Sequence, residues 1–72
     1  QKYFDIAFPA LDEAWQQRQP GKNVAAVVEE VCEAAAQVNT VDALKRAEQL
    51  QEPAEQAIGM LAVARTVLGK EH

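Results

Sequence analysis

Apolar residues recur every three or four positions along most of this 72-residue chain, the spacing that places them on one face of an α-helix. Helix-favouring residues dominate, with 14 Ala, 8 Gln and 8 Glu, whereas Ser is absent and Gly and Pro number three each. An all-β fold would need many more turn-forming residues. Three turn signals divide the pattern into four segments: Pro20-Gly21, Asn39-Thr40 and Glu52-Pro53. The sequence therefore predicts an all-α fold.

The first predicted helix covers residues 9–19. Its large apolar side chains share one helix face at spacings of 4, 3 and 4: Phe4, Phe8, Leu11 and Trp15. Proline inside a helix removes a hydrogen bond and clashes with the preceding turn, so we expect the regular helix to begin near Pro9. The regular spacing favours a core position for Phe8, Leu11 and Trp15. Tyr3 and Phe4, which precede the proline, fit the core and a partner-binding role equally well.

The second predicted helix covers residues 23–38 and begins at Asn23, a residue type that often caps helix N-termini. Its expected inner face is a stripe of small apolar residues: Val24, Val28, Val31, Ala35 and Val38. Glu29, Glu30 and Glu33 lie on the other face. We expect this acidic face to be solvated, and its charge makes it a candidate surface for a basic protein partner.

A third helix is predicted over residues 40–51 and a fourth over 53–68. Asn39, followed by Asp42 three residues later, is typical of a helix N-terminus. Pro53 either separates the two helices or kinks a single helix over 41–68, and we favour the break because the residue before a proline disfavours helical geometry. The residues expected to face inward are Val41, Leu44, Ala47 or Glu48, and Leu50 or Gln51 in the third helix, and Ala57, Leu61, Ala64 and Leu68 in the fourth.

Two glycines have expected roles in the fourth helix. Gly69 is a candidate C-cap. Gly59 lies within the helix, where glycine costs about 1 kcal/mol relative to alanine. We therefore expect another helix backbone, from the same chain or from a second subunit, to approach Gly59 closely.

Helices joined by turns this short are expected to be neighbours in a small antiparallel bundle of three to four helices. A chain of this mass buries only about 60% of the surface that it exposes when unfolded. Many of its apolar residues are alanines, which contribute little apolar area each. Homodimerisation would supply the missing burial. The sequence thus predicts one helical domain over residues 1–72, which a second copy could complete.

The residue types needed for enzyme chemistry are scarce. The chain has no Ser, one Cys (Cys32) and one His (His72), so the usual nucleophile and base pairs cannot be assembled. The Glu-x-x-His pairs of di-iron bundles are missing too. We expect Cys32 to be a buried, inert thiol whose pKa is raised by Glu29 and Glu33. The sequence predicts no enzyme activity and no catalytic, cofactor-binding or metal-binding residue.

Charge and hydropathy narrow the class of partner. The net charge of −4 opposes binding to nucleic acid or to an anionic membrane, and no apolar run approaches the length of a membrane span. A single cysteine favours a reducing, cytoplasmic setting.

These observations predict a non-catalytic protein–protein interaction module: an adaptor, an inhibitor or immunity-type protein, or a chaperone-like subunit, which also forms a homodimer. The alternative is an accessory or oligomerisation domain of a larger protein whose activity lies elsewhere. The candidate partner-binding residues are Tyr3, Phe4, Trp15, Glu29, Glu30 and Glu33.

Overall fold

Four packed α-helices make up most of the chain that the computed structural model describes, residues 2–19, 21 and 23–70. They are α1 (Lys2–Gln16), α2 (Val24–Val38), α3 (Thr40–Glu48) and α4 (Pro53–Lys70). No residue in these described ranges belongs to a β-strand. α4 packs most extensively against α2 and also contacts α3, whereas α1 lies on α2 and α3. The predicted all-α bundle is confirmed.

α1 begins at Lys2, and Pro9 lies inside it, so the prediction that the helix starts near Pro9 was wrong. Its early turns are held by Phe4 and Phe8, which are both buried and whose ring centroids lie 5.7 Å apart, edge to face. Burying such a side chain stabilises a fold by up to about 3 kcal/mol, comparable with the cost of proline in a helix. Asp5 is exposed, so water can solvate the carbonyl that Pro9 leaves unpaired.

The connection between α1 and α2 contains a glycine in a left-handed conformation. α1 ends at Gln16, earlier than the predicted residue 19. Gly21 has a φ of +90°, which favours glycine over other residues. Gly21 therefore serves the predicted turn, whereas its neighbour Pro20 and the C-terminal His72 lie outside the described residues.

Asparagine side chains cap two helices, as predicted. The Oδ1 atom of Asn23 accepts a hydrogen bond from the backbone N–H of Ala26 at 3.1 Å, and Oδ1 of Asn39 accepts one from Asp42 at the same distance. The backbone N–H of Asn39 also donates to the carbonyl of Ala35 at 2.9 Å. Asn39 thus ends α2 and begins α3, which explains how a single extended residue separates the two helices.

The helical structure is interrupted before Pro53, as the sequence analysis favoured. α3 ends at Glu48, three residues before the predicted end, and α4 begins at Pro53. The backbone N–H of Gln51 donates to Oδ1 of Asp12 on α1 at 3.0 Å, which fixes the turn between the two helices. At its other end α4 continues through Gly69 with no left-handed φ there, so the predicted C-cap role of Gly69 was wrong.

The core draws on all four helices and the α3–α4 turn. Its members are buried apolar side chains: Phe4, Phe8, Leu11, Trp15, Val28, Cys32, Ala35, Ala36, Ala43, Ala47, Leu50, Ala62 and Val63. The predicted inner positions of Val28 and Ala35 in α2 are confirmed, and Cys32 is also buried. Val38, predicted on the same inner stripe, is 63% exposed instead.

α4 buries a different face from the predicted one, and α3 matches its prediction in part. In α3, Ala47 and, just beyond the helix, Leu50 are buried as predicted. Val41 and Leu44 are exposed instead, and Ala43 is buried. In α4, the buried residues are Glu55, Gly59, Ala62 and Val63. The four α4 residues predicted to face inward are all exposed: Ala57, Leu61, Ala64 and Leu68.

Close helix packing explains this difference. A β-carbon built on Gly59 would lie 3.2 Å from Sγ of Cys32 and 3.3 Å from both Cβ of Ala47 and Cδ1 of Leu50. These distances leave little room for a side chain at position 59, because protein interiors are close-packed. The larger leucines therefore turn outward. Close packing at Gly59 is found as predicted, within the chain, but the atoms nearest to the glycine belong to side chains rather than to another helix backbone.

Candidate interaction surface

α4 presents a row of apolar side chains to solvent, which we call the outer stripe. It consists of Ala57, Leu61, Ala64 and Leu68, all exposed. The two leucines are 58% and 59% exposed, and Met60 beside them is 38% exposed. Spacings of 4, 3 and 4 align the stripe along about three turns of the helix. Apolar side chains arranged in this way form a continuous surface that a partner can cover.

The outer stripe is also poor in charge. Between Pro53 and Ala64 the only ionisable side chain of α4 is Glu55, and it is fully buried. Arg65, at the edge of the stripe, is turned towards α2: its Nη2 atom lies 3.4 Å from Oε2 of Glu29 and 3.8 Å from Oε1 of Glu33. Depletion of charge distinguishes the central part of protein interfaces from ordinary surface.

Exposed apolar side chains on α1 and α3 are more closely accompanied by charged residues. Tyr3 and Ile6 on α1 flank Asp5, which pairs with Arg46 of α3. Val41 and Leu44 on α3 are interleaved with Asp42 and Lys45. The outer stripe is therefore the best candidate among the described residues for a surface that a partner covers.

The sequence prediction identified the residues of the outer stripe but assigned them to the core. α4 carries apolar residues on more than one side, and the inward side is formed by Gly59, Ala62 and Val63. A helix that is apolar around most of its circumference normally has more than one neighbour. That property, together with the lack of charged residues before Arg65, is the signal that could have revealed the surface.

The structure places the aromatic candidates of the sequence analysis in two environments. Phe4 and Trp15 are 1% and 9% exposed and belong to the core. The Arg18 guanidinium lies 4.8 Å from the Trp15 ring centroid and donates to the Trp15 carbonyl at 2.8 Å, so it covers this end of the core. Tyr3 is 60% exposed, and its ring touches that of Phe4 edge to face. Only Tyr3 among the three presents its ring to solvent, and a role in partner binding stays a prediction.

The three acidic candidates of α2 are not equivalent. Glu29 and Glu33 lie beside Arg65, whereas Glu30 is exposed. Exposed ion pairs of this kind contribute little stability, but they partly neutralise the predicted acidic face. Binding of a basic partner through these glutamates stays a prediction.

An open groove of about 640 Å³ lies between the C-terminal halves of α2 and α4. It is lined by Glu33, Gln37, Arg65, Thr66 and Gly69. The arginine in this lining already faces Glu33. The lining residues therefore offer a ligand few unsatisfied polar groups, in contrast to the convergent polar groups of an enclosed binding pocket.

Glu55 is the one buried charged residue of the described chain. Neither of its carboxylate oxygens has a hydrogen-bond partner among the described residues. Burial raises the pKa of Glu55 from 4.5 to about 7, and the neighbouring Asp12 carboxyl acts in the same direction. At neutral pH a large fraction of Glu55 is consequently protonated and uncharged.

Cys32 lies close to this carboxyl on the inner face of α2. Its side chain is fully buried. Burial raises the pKa of the Cys32 thiol to about 11, and the Glu55 carboxylate adds to the shift. The buried position predicted for Cys32 is confirmed, but the acidic residue that raises its pKa is Glu55 rather than Glu29 or Glu33. A protonated, buried thiol is a poor nucleophile.

Two further properties bear on the site. Among the described residues, no three His, Cys, Asp or Glu side chains come together in a way that could hold a metal ion. None of the described helices combines the length and the apolar character needed to cross a membrane.

No protein-family model, curated protein or solved structure matches the chain.

Proposed function

We propose that this chain is a non-catalytic protein–protein interaction module and that the outer stripe of α4 is its binding surface. The observation that carries the proposal is the exposure of Leu61 and Leu68 on one continuous helix face. Partners that bind a helix through such residues bury them in a groove or against another helix.

The absence of competing chemistry on the described residues supports the same proposal. Cys32 is buried with a raised pKa, and Glu55 is enclosed in the core beside it. Neither side chain is accessible to a substrate. The two groups with raised pKa values therefore lie in the core rather than in an accessible site. The unpaired thiol also agrees with a reducing, cytoplasmic setting, which is part of the proposal.

The proposal covers more than one biological role. An adaptor, an inhibitor or immunity-type protein, and a chaperone-like subunit would each use one apolar helix face in this way. An accessory or oligomerisation domain of a larger protein would use the same face. The roles differ in the partner, so the first experiment must identify what contacts the outer stripe.

Site-specific photocrosslinking in the native host tests the proposal. A photoreactive phenylalanine analogue replaces Leu61, and a matched control replaces Ala10, which is exposed on α1. We expect a discrete adduct from position 61, no adduct from position 10, and loss of the position-61 adduct when Leu68→Glu is added. Equal labelling from both positions, or no adduct at position 61, would overturn the proposal.

A folding control accompanies this test. Leu61 and Leu68 are mostly in solvent, so the position-61 analogue should keep the helical circular dichroism and the melting temperature of the isolated monomer, with or without Leu68→Glu. Loss of the adduct from a folded variant then reports on binding rather than on stability.

A further inference from the structure

We infer that the occupant of the outer stripe is the α4 helix of a second copy of this chain, packed antiparallel across a twofold axis. The inference rests on the proposed function, because it names the partner of the same surface. Its support comes from the spacing of the stripe, the order of large and small residues along it, the area that it exposes and its lack of charge.

The spacing makes the outer stripe self-complementary. The intervals 57–61, 61–64 and 64–68 read 4, 3 and 4 in both directions. A twofold axis at the midpoint of the stripe, level with residues 62 and 63 along the helix, therefore brings the stripe of one copy onto the stripe of the other in register. Interfaces between identical chains related by a twofold axis need this property, since the same patch serves both sides.

The order of residues favours the antiparallel direction. Leu61 falls opposite Ala64 of the second copy, and Leu68 falls opposite Ala57, so every large side chain meets a small one. A parallel pair would place leucine against leucine and alanine against alanine, with crowding in one layer and a void in the next. Interdigitation of large with small residues gives the closer helix packing.

The exposed area is sufficient for a weak dimer. The exposed surface of Met60, Leu61 and Leu68, together with that of Ala57 and Ala64, forms an apolar patch on the order of 400 Å² per copy. Two copies would together bury at most about 800 Å², which is below the standard size of specific interfaces and within the range of weak, transient contacts. We therefore expect reversible association in the micromolar range.

The charge distribution permits this contact and predicts its response to salt. Each copy has a net charge of −4, so two copies repel each other at a distance. The stripe itself carries no acidic side chain, and the charge at its edge, Arg65, already faces Glu29 and Glu33. Salt should screen the repulsion and strengthen association, whereas binding of a basic partner would weaken as salt is added.

The test uses the purified chain over a hundredfold range of concentration, analysed by sedimentation velocity at two salt concentrations. We expect a monomer–dimer equilibrium that shifts at least threefold towards dimer between 50 mM and 500 mM NaCl. Leu61→Glu/Leu68→Glu should be monomeric throughout. Leu61→Glu alone should also be monomeric, whereas Ile6→Glu, which adds the same single charge at an exposed residue of α1, should associate like the wild type.

Disulfide trapping tests the direction of packing. Oxidation of an equimolar mixture of Ala57→Cys and Leu68→Cys should link unlike variants, since these positions face each other across the axis. Ala57→Cys alone should remain largely unlinked, because in the antiparallel pair its two copies are about 16 Å apart along the helix, beyond the reach of a disulfide. The wild type, whose only cysteine is buried, is the control.

Three results would overturn the inference: a wild type that stays monomeric at several hundred micromolar, an Ile6→Glu variant that loses association as fully as the stripe variant, or efficient linking of Ala57→Cys alone. A monomeric wild type combined with a photocrosslinked adduct to a different protein would remove the second copy as partner and leave the proposed function standing. The two proposals can therefore fail separately.

Discussion

The backbone of Gly59 on α4 lies directly against the thiol of Cys32 on α2. A β-carbon built on the glycine would be only 3.2 Å from Sγ of the cysteine. This contact forms part of the most extensive helix pair of the bundle. It brings α4 so close to α2 that position 59 has little room for a side chain. The outward position of Leu61 and Leu68 is the other consequence of the same close approach.

Replacement of Gly59 by alanine should therefore destabilise the protein, although alanine is the better helix former. The added methyl group would meet Sγ of Cys32 at 3.2 Å and both Cβ of Ala47 and Cδ1 of Leu50 at 3.3 Å, so three buried neighbours would have to shift at once. Overpacking typically costs about 1–3 kcal/mol, against a gain of about 1 kcal/mol in helix propensity. We expect a net loss on the order of 1 kcal/mol in chemical denaturation.

Gly69 provides the matched control for that experiment. It lies in the same helix with nothing within 4 Å of an added β-carbon. Gly69→Ala should leave stability unchanged or increase it by up to about 1 kcal/mol. If both variants were stabilised equally, the close approach at Gly59 would be wrong.

Stability should depend on pH through Glu55. Its pKa is 4.5 as an ordinary glutamate and about 7 in the folded chain, so between these values the folded state keeps a proton that the unfolded state has released. The free energy of unfolding should consequently fall as pH rises from about 4.5 to about 7, and then level off. The expected loss is on the order of 3 kcal/mol.

Glu55→Gln should remove this part of the pH dependence, because an amide does not titrate. The measurement is urea denaturation of wild type and variant at pH 5, 6, 7 and 8. The slope of the unfolding free energy against pH is compared between the two proteins, so that titration of the other groups cancels. Glu30→Gln, at an exposed position, should keep the wild-type slope. An unchanged slope in Glu55→Gln would show that the carboxyl is solvated.

The Cys32 thiol should be unreactive in the native protein. Burial and the Glu55 carboxylate raise its pKa to about 11, so the thiolate is scarce at neutral pH and out of reach of reagents. Alkylation by iodoacetamide at pH 8 should be at least a hundredfold slower than in urea-unfolded protein. Rapid labelling of the native chain would contradict the close packing of α2 against α4.

Phe4 and Tyr3 should differ sharply on truncation to alanine. Phe4 is buried against Phe8, whereas Tyr3 is largely exposed. Phe4→Ala should cost about 3 kcal/mol, since it empties a core position, and Tyr3→Ala should cost less than about 1 kcal/mol. Thermal denaturation followed by circular dichroism measures both. Equal effects would indicate that the first turns of α1 are not part of the core.

Local signals in the sequence determined where most of the helices begin. Asn23 and Asn39 supply side-chain acceptors to exposed backbone N–H groups, and Pro53 lacks the N–H that a continuous helix would need. These effects act within one turn of the chain, so they can be identified without knowing the fold. The start of α1 was missed because burial of Phe4 outweighs the local penalty of Pro9.

Only the tertiary structure decided which faces α3 and α4 bury, whereas periodicity alone predicted the buried face of α1. The apolar residues of α3 and α4 lie on more than one side, so periodicity alone predicted Leu44 and Leu61 to face inward. In α4 the packing around Gly59 settled the choice. A β-carbon there would meet Cys32, Ala47 and Leu50 at 3.2 to 3.3 Å, so this side of the helix faces inward and Leu61 faces solvent. That packing depends on residues far apart in the chain, since a helix surface is selected by what packs against it.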